Sequence, residues 1–201
     1  MSKTVLAYHF TDGYRLRDGQ PLEMGREYVF DGEPVMCVRG YHASRHVFDA
    51  LKYAPRSILS WVECKEITDE CDDKLVCRRR RVIATIDATE LLRRFARMCA
   101  LDVIHLWDAP DVVVRYLKTG DESIRGAAWS AAWAARDAAW DAARIAAWAA
   151  AWNDAMSAAR SAAWADALDA ARAAARDATR RRQRRRLARM VNQAFKKVED
   201  S

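Results

Sequence analysis

Residues 130–152 read Ser130-Ala-Ala-Trp133-Ala-Ala-Arg136-Asp137-Ala-Ala-Trp140-Asp141-Ala-Ala-Arg144-Ile145-Ala-Ala-Trp148-Ala-Ala-Ala-Trp152. Alanine is the strongest helix former, and neither Gly nor Pro follows Gly126. Alanine doublets recur every three or four residues from Ala127-Ala128 onward and return between Ala158 and Ala175. That spacing keeps them on one face of an α-helix. A smooth small-residue face lets two helices approach closely, so the tract is expected to pack against another helix. Trp129, Trp133 and Trp140 fall on one stripe, and Trp148 and Trp152 drift from it by about a quarter turn. Ala128, Trp129, Trp133, Ala139, Trp140, Ala143, Trp148 and Trp152 are the expected self-association residues. An unbroken helix from Asp121 to Val198 would run for roughly 115 Å. It is therefore expected either to fold back near Asn153-Asp154 or to oligomerise.

Upstream, residues 1–87 read as a small β-rich unit. Turn signals recur at Gly13, Asp18-Gly19, Gly25, Asp31-Gly32 and Gly40. Strands are expected over Thr4–Phe10, Ser57–Cys64 and Leu75–Ile86. Asp31-Gly32 predicts a hairpin between Glu27–Phe30 and Pro34–Val38. Ser44–Ala54 has helical spacing, with Ser44 as N-cap and Pro55 beyond its end. Residues 88–120 read as a helical connector, capped by Asp87 or Thr89, restarted near Pro110 and ended at Thr119-Gly120. Residues 121–201 complete the chain as a long helix or helical hairpin with a basic end, and the class is α+β.

The net charge of +6 is unevenly placed. Residues 1–120 carry 19 basic against 18 acidic side chains, and residues 121–201 carry 15 against 10. The excess concentrates at Arg180, Arg181, Arg182, Arg184, Arg185 and Arg186, a run that could contact phosphates without reading sequence. It also suits a helix C-terminus, where cations favour the macrodipole, and is expected to be a solvated basic end. A second run, Arg78–Arg81, is expected to alternate outward from a strand and pair with Glu66, Asp69 or Asp72. No stretch has the length and apolarity of a membrane span. The five cysteines are odd in number and lack zinc spacings, so they read as reduced thiols; no metal and no cofactor is expected.

Two segments resemble known families. Cys37-Val-Arg-Gly40-Tyr41-His42-Ala43-Ser44, then Phe48-Asp49-Ala50-Leu51-Lys-Tyr53 and Trp61-Val62-Glu63, resembles an N-terminal domain of unknown function in bacteriophage and prophage proteins. Its pattern is a C-x-x-G-x-H-A-[CS] turn, a D-[AV]-L-x-Y helix and a V-E strand. Phe95–Trp107, with Tyr116–Glu122 and the alanine tract, is similar to a class of helical proteins described as immunity proteins. A looser likeness to the ADP-ribosyltransferase fold runs through Tyr8-His9-Phe10, Gly40–Ser44 and Ala50–Tyr53. That likeness would imply an NAD-using enzyme, but Val82–Ile86 carries no late glutamate.

The expected function is non-enzymatic: an oligomeric phage-type binding protein in the bacterial cytoplasm. It would engage a host protein or small ligand through His9, Tyr41, His42, Ser44 and Tyr53. The alternatives are nucleic-acid binding through the arginine run and an NAD-using transferase. His42 is expected to fix the turn after Gly40 by hydrogen bonding.

Overall fold

The computed structural model describes residues 4–16, 18–106, 108–135 and 161–200, the last segment with side chains from 176 onward. The chain is α+β, with an antiparallel sheet followed by helices. Its strands are β1 (Val5–Thr11), β2 (Glu27–Val29), β3 (Tyr41–Ala43), β4 (Ile58–Glu70) and β5 (Leu75–Asp87). The short α1 (Val47–Ala50) precedes β4 and runs into a 3-10 turn, Leu51–Tyr53. After the sheet come α2 (Thr89–Leu101), α3 (Asp111–Thr119), α4 (125–135) and α5 (Ser161–Glu199). Among the described residues no helix is long and apolar enough to cross a membrane.

β4 and β5 form a long antiparallel hairpin, and β1 adds to the free side of β4. The other side of β5 receives two short strands end to end. β3 pairs with Leu75–Cys77 and β2 with Arg79–Arg81. A bridge between Tyr8 and Ser44, with backbone hydrogen bonds of 2.8 and 2.9 Å, ties the end of β3 to β1. The two edges of the sheet are thereby joined, which removes much of the open-edge hazard.

Two expectations fail at this bridge and its approach. Pro34–Val38 is not a strand, and β2 pairs with β5 instead of with it. Pro34 has no N–H to give a ladder. The segment closes on itself through a Val35–Arg39 bridge, with Cys37 at a φ of 63°. Ser44 is likewise not a helix cap. Its backbone serves the Tyr8 bridge, and α1 starts only at Val47, after His46.

Contacts divide the chain into two compact units, Met1–Arg93 with Arg182–Ser201, and Arg94–Arg181. This grouping differs from the boundaries at 87 and 120 expected from sequence. In the first, the sheet unit, alternation along β1 sends Val5 and Ala7 into a core with Leu16, Tyr28, Val62, Cys64, Leu75 and Val82. Tyr8 and Trp61, neighbours across β1 and β4, meet the end of α5. The Tyr8 hydroxyl donates to Asn192 at 2.9 Å, and the Trp61 and Phe195 rings lie 6.0 Å apart. Leu187, Val191 and Phe195 recur every four residues along α5 and are buried. Arg184 pairs with the buried Asp49 of α1. The basic end is therefore solvated only in part: its apolar stripe and Arg184 complete the sheet unit, and Arg180, Arg181, Arg182 and Arg185 stay exposed.

Also in the sheet unit, Asp87 accepts from the Thr89 N–H at 2.8 Å and caps α2. The second, helical unit holds α3 and α4. Pro110 stands at the N-cap of α3, and Gly120 ends it in the left-handed region. Ala128 is buried, whereas Trp129 and Trp133 are 67% and 41% exposed, their rings 5.9 Å apart. Ala139, Trp140, Ala143, Trp148 and Trp152 lie outside the described residues, as does the bend expected near Asn153-Asp154.

Candidate functional site

All five residues named for ligand contact, His9, Tyr41, His42, Ser44 and Tyr53, line one cavity of the sheet unit, of about 430 Å³. β1 carries His9, β3 carries Tyr41 and His42, and the 3-10 turn after α1 brings Tyr53 to the wall. The Cys37-x-x-Gly40-x-His42 pattern builds the rim. The Cys37 N–H donates to His42 Nε2 at 2.9 Å, and His42 Nδ1 lies 3.2 Å from the Gly40 carbonyl oxygen. With Nε2 accepting, the proton sits on Nδ1, which donates to that carbonyl. His42 thus holds the turn in which it was expected to act.

Sequence reading missed the residue at the centre. Arg80 is 2% exposed and lines the same cavity. Its Nη1 donates to the His42 carbonyl at 3.0 Å, and its guanidinium lies 4.9 Å from the centroid of the Tyr41 ring. Its Nε–H has no acceptor among the described residues. The rest of the Arg78–Arg81 run does pair outward. Arg78 and Arg79 meet Glu66, Arg79 also meets Glu27, and Arg81 meets Glu63. A signal was available: successive strand residues alternate faces, so four arginines in a row cannot all point outward.

The other wall is polar. The Tyr41 hydroxyl donates to Asp18 at 3.0 Å, and Gln20 Nε2 donates to both Asp18 and that hydroxyl. Burial, followed by the Asp18 hydrogen bond, pushes the Tyr41 phenol up to about 12. Asp18 is the carboxylate among the described lining residues, and Glu63, Glu66 and Glu70 of β4 are not among them. At the mouth, Lys74 lies over the Tyr53 ring at 4.6 Å, and the Tyr53 hydroxyl donates to Asp73 at 2.7 Å. Asp73 is held down to about 2 by the Tyr53 hydrogen bond and by Lys52. Among the described residues no three His, Cys, Asp or Glu side chains converge as metal ligands.

Burial, then the positive charge of Arg80, holds the His9 imidazole well below the ordinary histidine range. His9 is therefore neutral at physiological pH. This fixes a pH dependence. An unfolded histidine titrates near ~6.5. Below that pH the unfolded chain takes up a proton that folded His9 refuses, so stability falls as pH drops from ~6.5 toward the lowered folded value. The slope from this one site is at most about 1.4 kcal/mol per pH unit. Urea midpoints between pH 7 and 5 should show a steeper loss for the natural chain than for His9→Gln. Parallel curves would mean that His9 carries no such term.

Residues 5–94 match DUF7666, a domain of unknown function. The match covers β1 to β5 and every residue that lines the cavity. It ends before Arg182–Ser201, so the helix end that closes one face of the sheet lies outside the matched region. No curated protein and no solved structure matches the chain.

Of the six arginines named for nucleic acid, Arg184 is engaged by Asp49, and Arg186 is half-buried with partners of its own. Arg180, Arg181, Arg182 and Arg185 are exposed.

Proposed function

We propose that the sheet unit is a non-enzymatic binding module whose cavity takes a small anionic molecule. The carrying observation is Arg80. Removing a guanidinium from water costs several kcal/mol unless hydrogen bonds and an opposite charge compensate. Here one carbonyl, one aromatic face and the charge of Asp18 compensate in part, and the Nε–H is left over. A buried donor without a partner asks for an explanation, and a bound anion beside it supplies one. Lys74 and Arg39, also among the lining residues, add positive charge. A volume of about 430 Å³ falls within the range of small-molecule sites, and its recessed form fits a small ligand better than a protein surface. Among the described lining residues there is no glutamate, which a transferase of the kind suggested by Tyr8–Phe10 would need.

The test is calorimetric titration and thermal shift with inorganic pyrophosphate and citrate, and with spermidine as the cationic control. The anions should bind and raise the melting temperature, spermidine should not, and Arg80→Met should lose the response while staying folded. At one hundred times Kd the expected stabilisation is about 2.7 kcal/mol. Equal responses from the natural chain and Arg80→Met, or none to either anion, would remove the reading.

A separate observation supports association through the helical unit: Trp129 and Trp133 expose apolar rings side by side. Sedimentation of the full chain should show a dimer or larger, and Trp129→Ser with Trp133→Ser should shift it toward monomer. A monomer at tens of micromolar for the natural chain removes this part.

A further inference from the structure

Leu187, Val191 and Phe195 are buried in the sheet unit, so the end of α5 has an inner face and an outer one. At ~100° per residue, Arg182, Arg185, Arg189, Gln193 and Lys196 fall within about 80° of one another, opposite that stripe. All five are exposed. Among the described residues none of the four cations is in an ion pair, whereas Arg184, on the inner face, is held by Asp49. No acidic residue occurs from 178 to 198. The ridge is about 21 Å long at ~1.5 Å per residue. Helix stability does not account for it. Arg182 with Arg185, and Arg185 with Arg189, are like charges at i,i+3 and i,i+4, an arrangement that weakens a helix. The macrodipole favours cations in the last turn, which holds Lys196 and Lys197 but none of the three arginines. A row of unpaired guanidiniums suits phosphates, each of which an arginine can hold by two parallel hydrogen bonds.

We propose that the outer face of α5 binds the phosphate backbone of duplex DNA without reading its sequence. None of the ridge residues lines the cavity, so the two sites are independent. A single strand would need rings to stack on, and Phe195, the aromatic residue of this part of the helix, is buried. An anionic membrane would need large apolar side chains beside the cations, and Leu187, Val191 and Phe195 are all buried. The major groove of B-form DNA, about 12 Å wide, admits an α-helix, whereas that of A-form RNA is too narrow. Gln193 adds an uncharged donor within the row.

The test is a salt titration of the full chain on a random-sequence DNA duplex, followed by fluorescence anisotropy. With four phosphates engaged, log affinity should fall against log salt with a slope of about −3.6, at about −0.9 for each phosphate. Arg182→Gln, Arg185→Gln and Arg189→Gln together should reduce that slope to about −0.9. From about 50 to about 200 mM salt the natural chain should lose on the order of a hundredfold in affinity, and this variant only about three- to fourfold. The variant should melt no lower than the natural chain, because like charges are removed from an exposed face. Arg176→Gln, Arg180→Gln and Arg181→Gln, the same change in charge at exposed positions outside the ridge, should keep the slope. Equal losses from both triple variants would show that charge alone binds, and would overturn the ridge. Absence of binding at about 20 mM salt, where phosphate contacts are strongest, overturns the proposal. So does binding to vesicles of phosphatidylglycerol and phosphatidylcholine in place of the duplex, or equal affinity for duplex RNA.

Discussion

Replacing Phe195 by alanine is expected to destabilise the sheet unit by about 3–5 kcal/mol, the usual range for a buried phenylalanine cut back to a methyl. The ring is buried against Trp61, 6.0 Å away, and Leu187 and Val191 sit beside it on the same face of α5. Its loss leaves a cavity between sheet and helix that neither element can close alone. The melting temperature should fall by on the order of 10 °C. Val198→Ala, near the end of the same helix but exposed, should change it little. If the two variants melt alike, α5 does not cover the sheet. The same packing governs any test of the arginine run. Truncation at residue 178 would remove Leu187, Val191 and Phe195 along with the charges, so lost binding could follow from lost folding. Arg180→Gln, Arg181→Gln, Arg182→Gln and Arg185→Gln together alter charge at exposed positions. If these residues hold phosphates, the salt slope on random DNA should flatten by roughly 0.9 for each contact removed.

Gly40→Ala is expected to cost a comparable amount. Gly40 has a φ of 98°, and a Cβ there would lie 2.6 Å from Pro34 Cβ and 3.0 Å from Val76 Cγ2. Placing an L-residue in the left-handed region costs roughly 1–2 kcal/mol. Overfilling a packed site adds about 1–3 kcal/mol. The strain would fall on the turn that carries Cys37 and His42, so anion binding should weaken with stability. His42→Ala should be milder, because its main loss is the bond from the Cys37 N–H, worth about 0.5–1.5 kcal/mol. Denaturant unfolding of both variants measures the difference. A Gly40→Ala chain as stable as the natural one would show that the turn does not hold this conformation.

The cavity was partly legible beforehand, because its rim is local. Gly40, His42 and Ser44 stand within five residues, and the turn they make follows from hydrogen bonds and steric limits over that span. The floor was not legible. Arg80 reads as one of four equal arginines until β5 is placed between β4 and the short strands, and only then does one face become interior. Ser44 shows the same limit in reverse. By sequence it is a good helix cap, but its backbone is claimed by Tyr8, thirty-six residues away, and a long-range ladder outweighs a local preference.

The sequence by itself determined what acts over a few residues. It marked the strands of the long hairpin by their apolar runs, the start of α2 by Asp87, the start and stop of α3 by Pro110 and Gly120, and the tight turn at Gly40. It also placed leucine, valine and phenylalanine at helical spacing in the last twenty residues. Only the tertiary structure decided which surface that stripe would cover. A stripe states that a face must be buried but not against what, and its partner here, Tyr8 and Trp61, lies more than a hundred residues earlier. Burial of Arg80 was decided the same way: the chain supplies a charge on an alternating strand, and the cost of desolvating it appears only when the sheet closes over it.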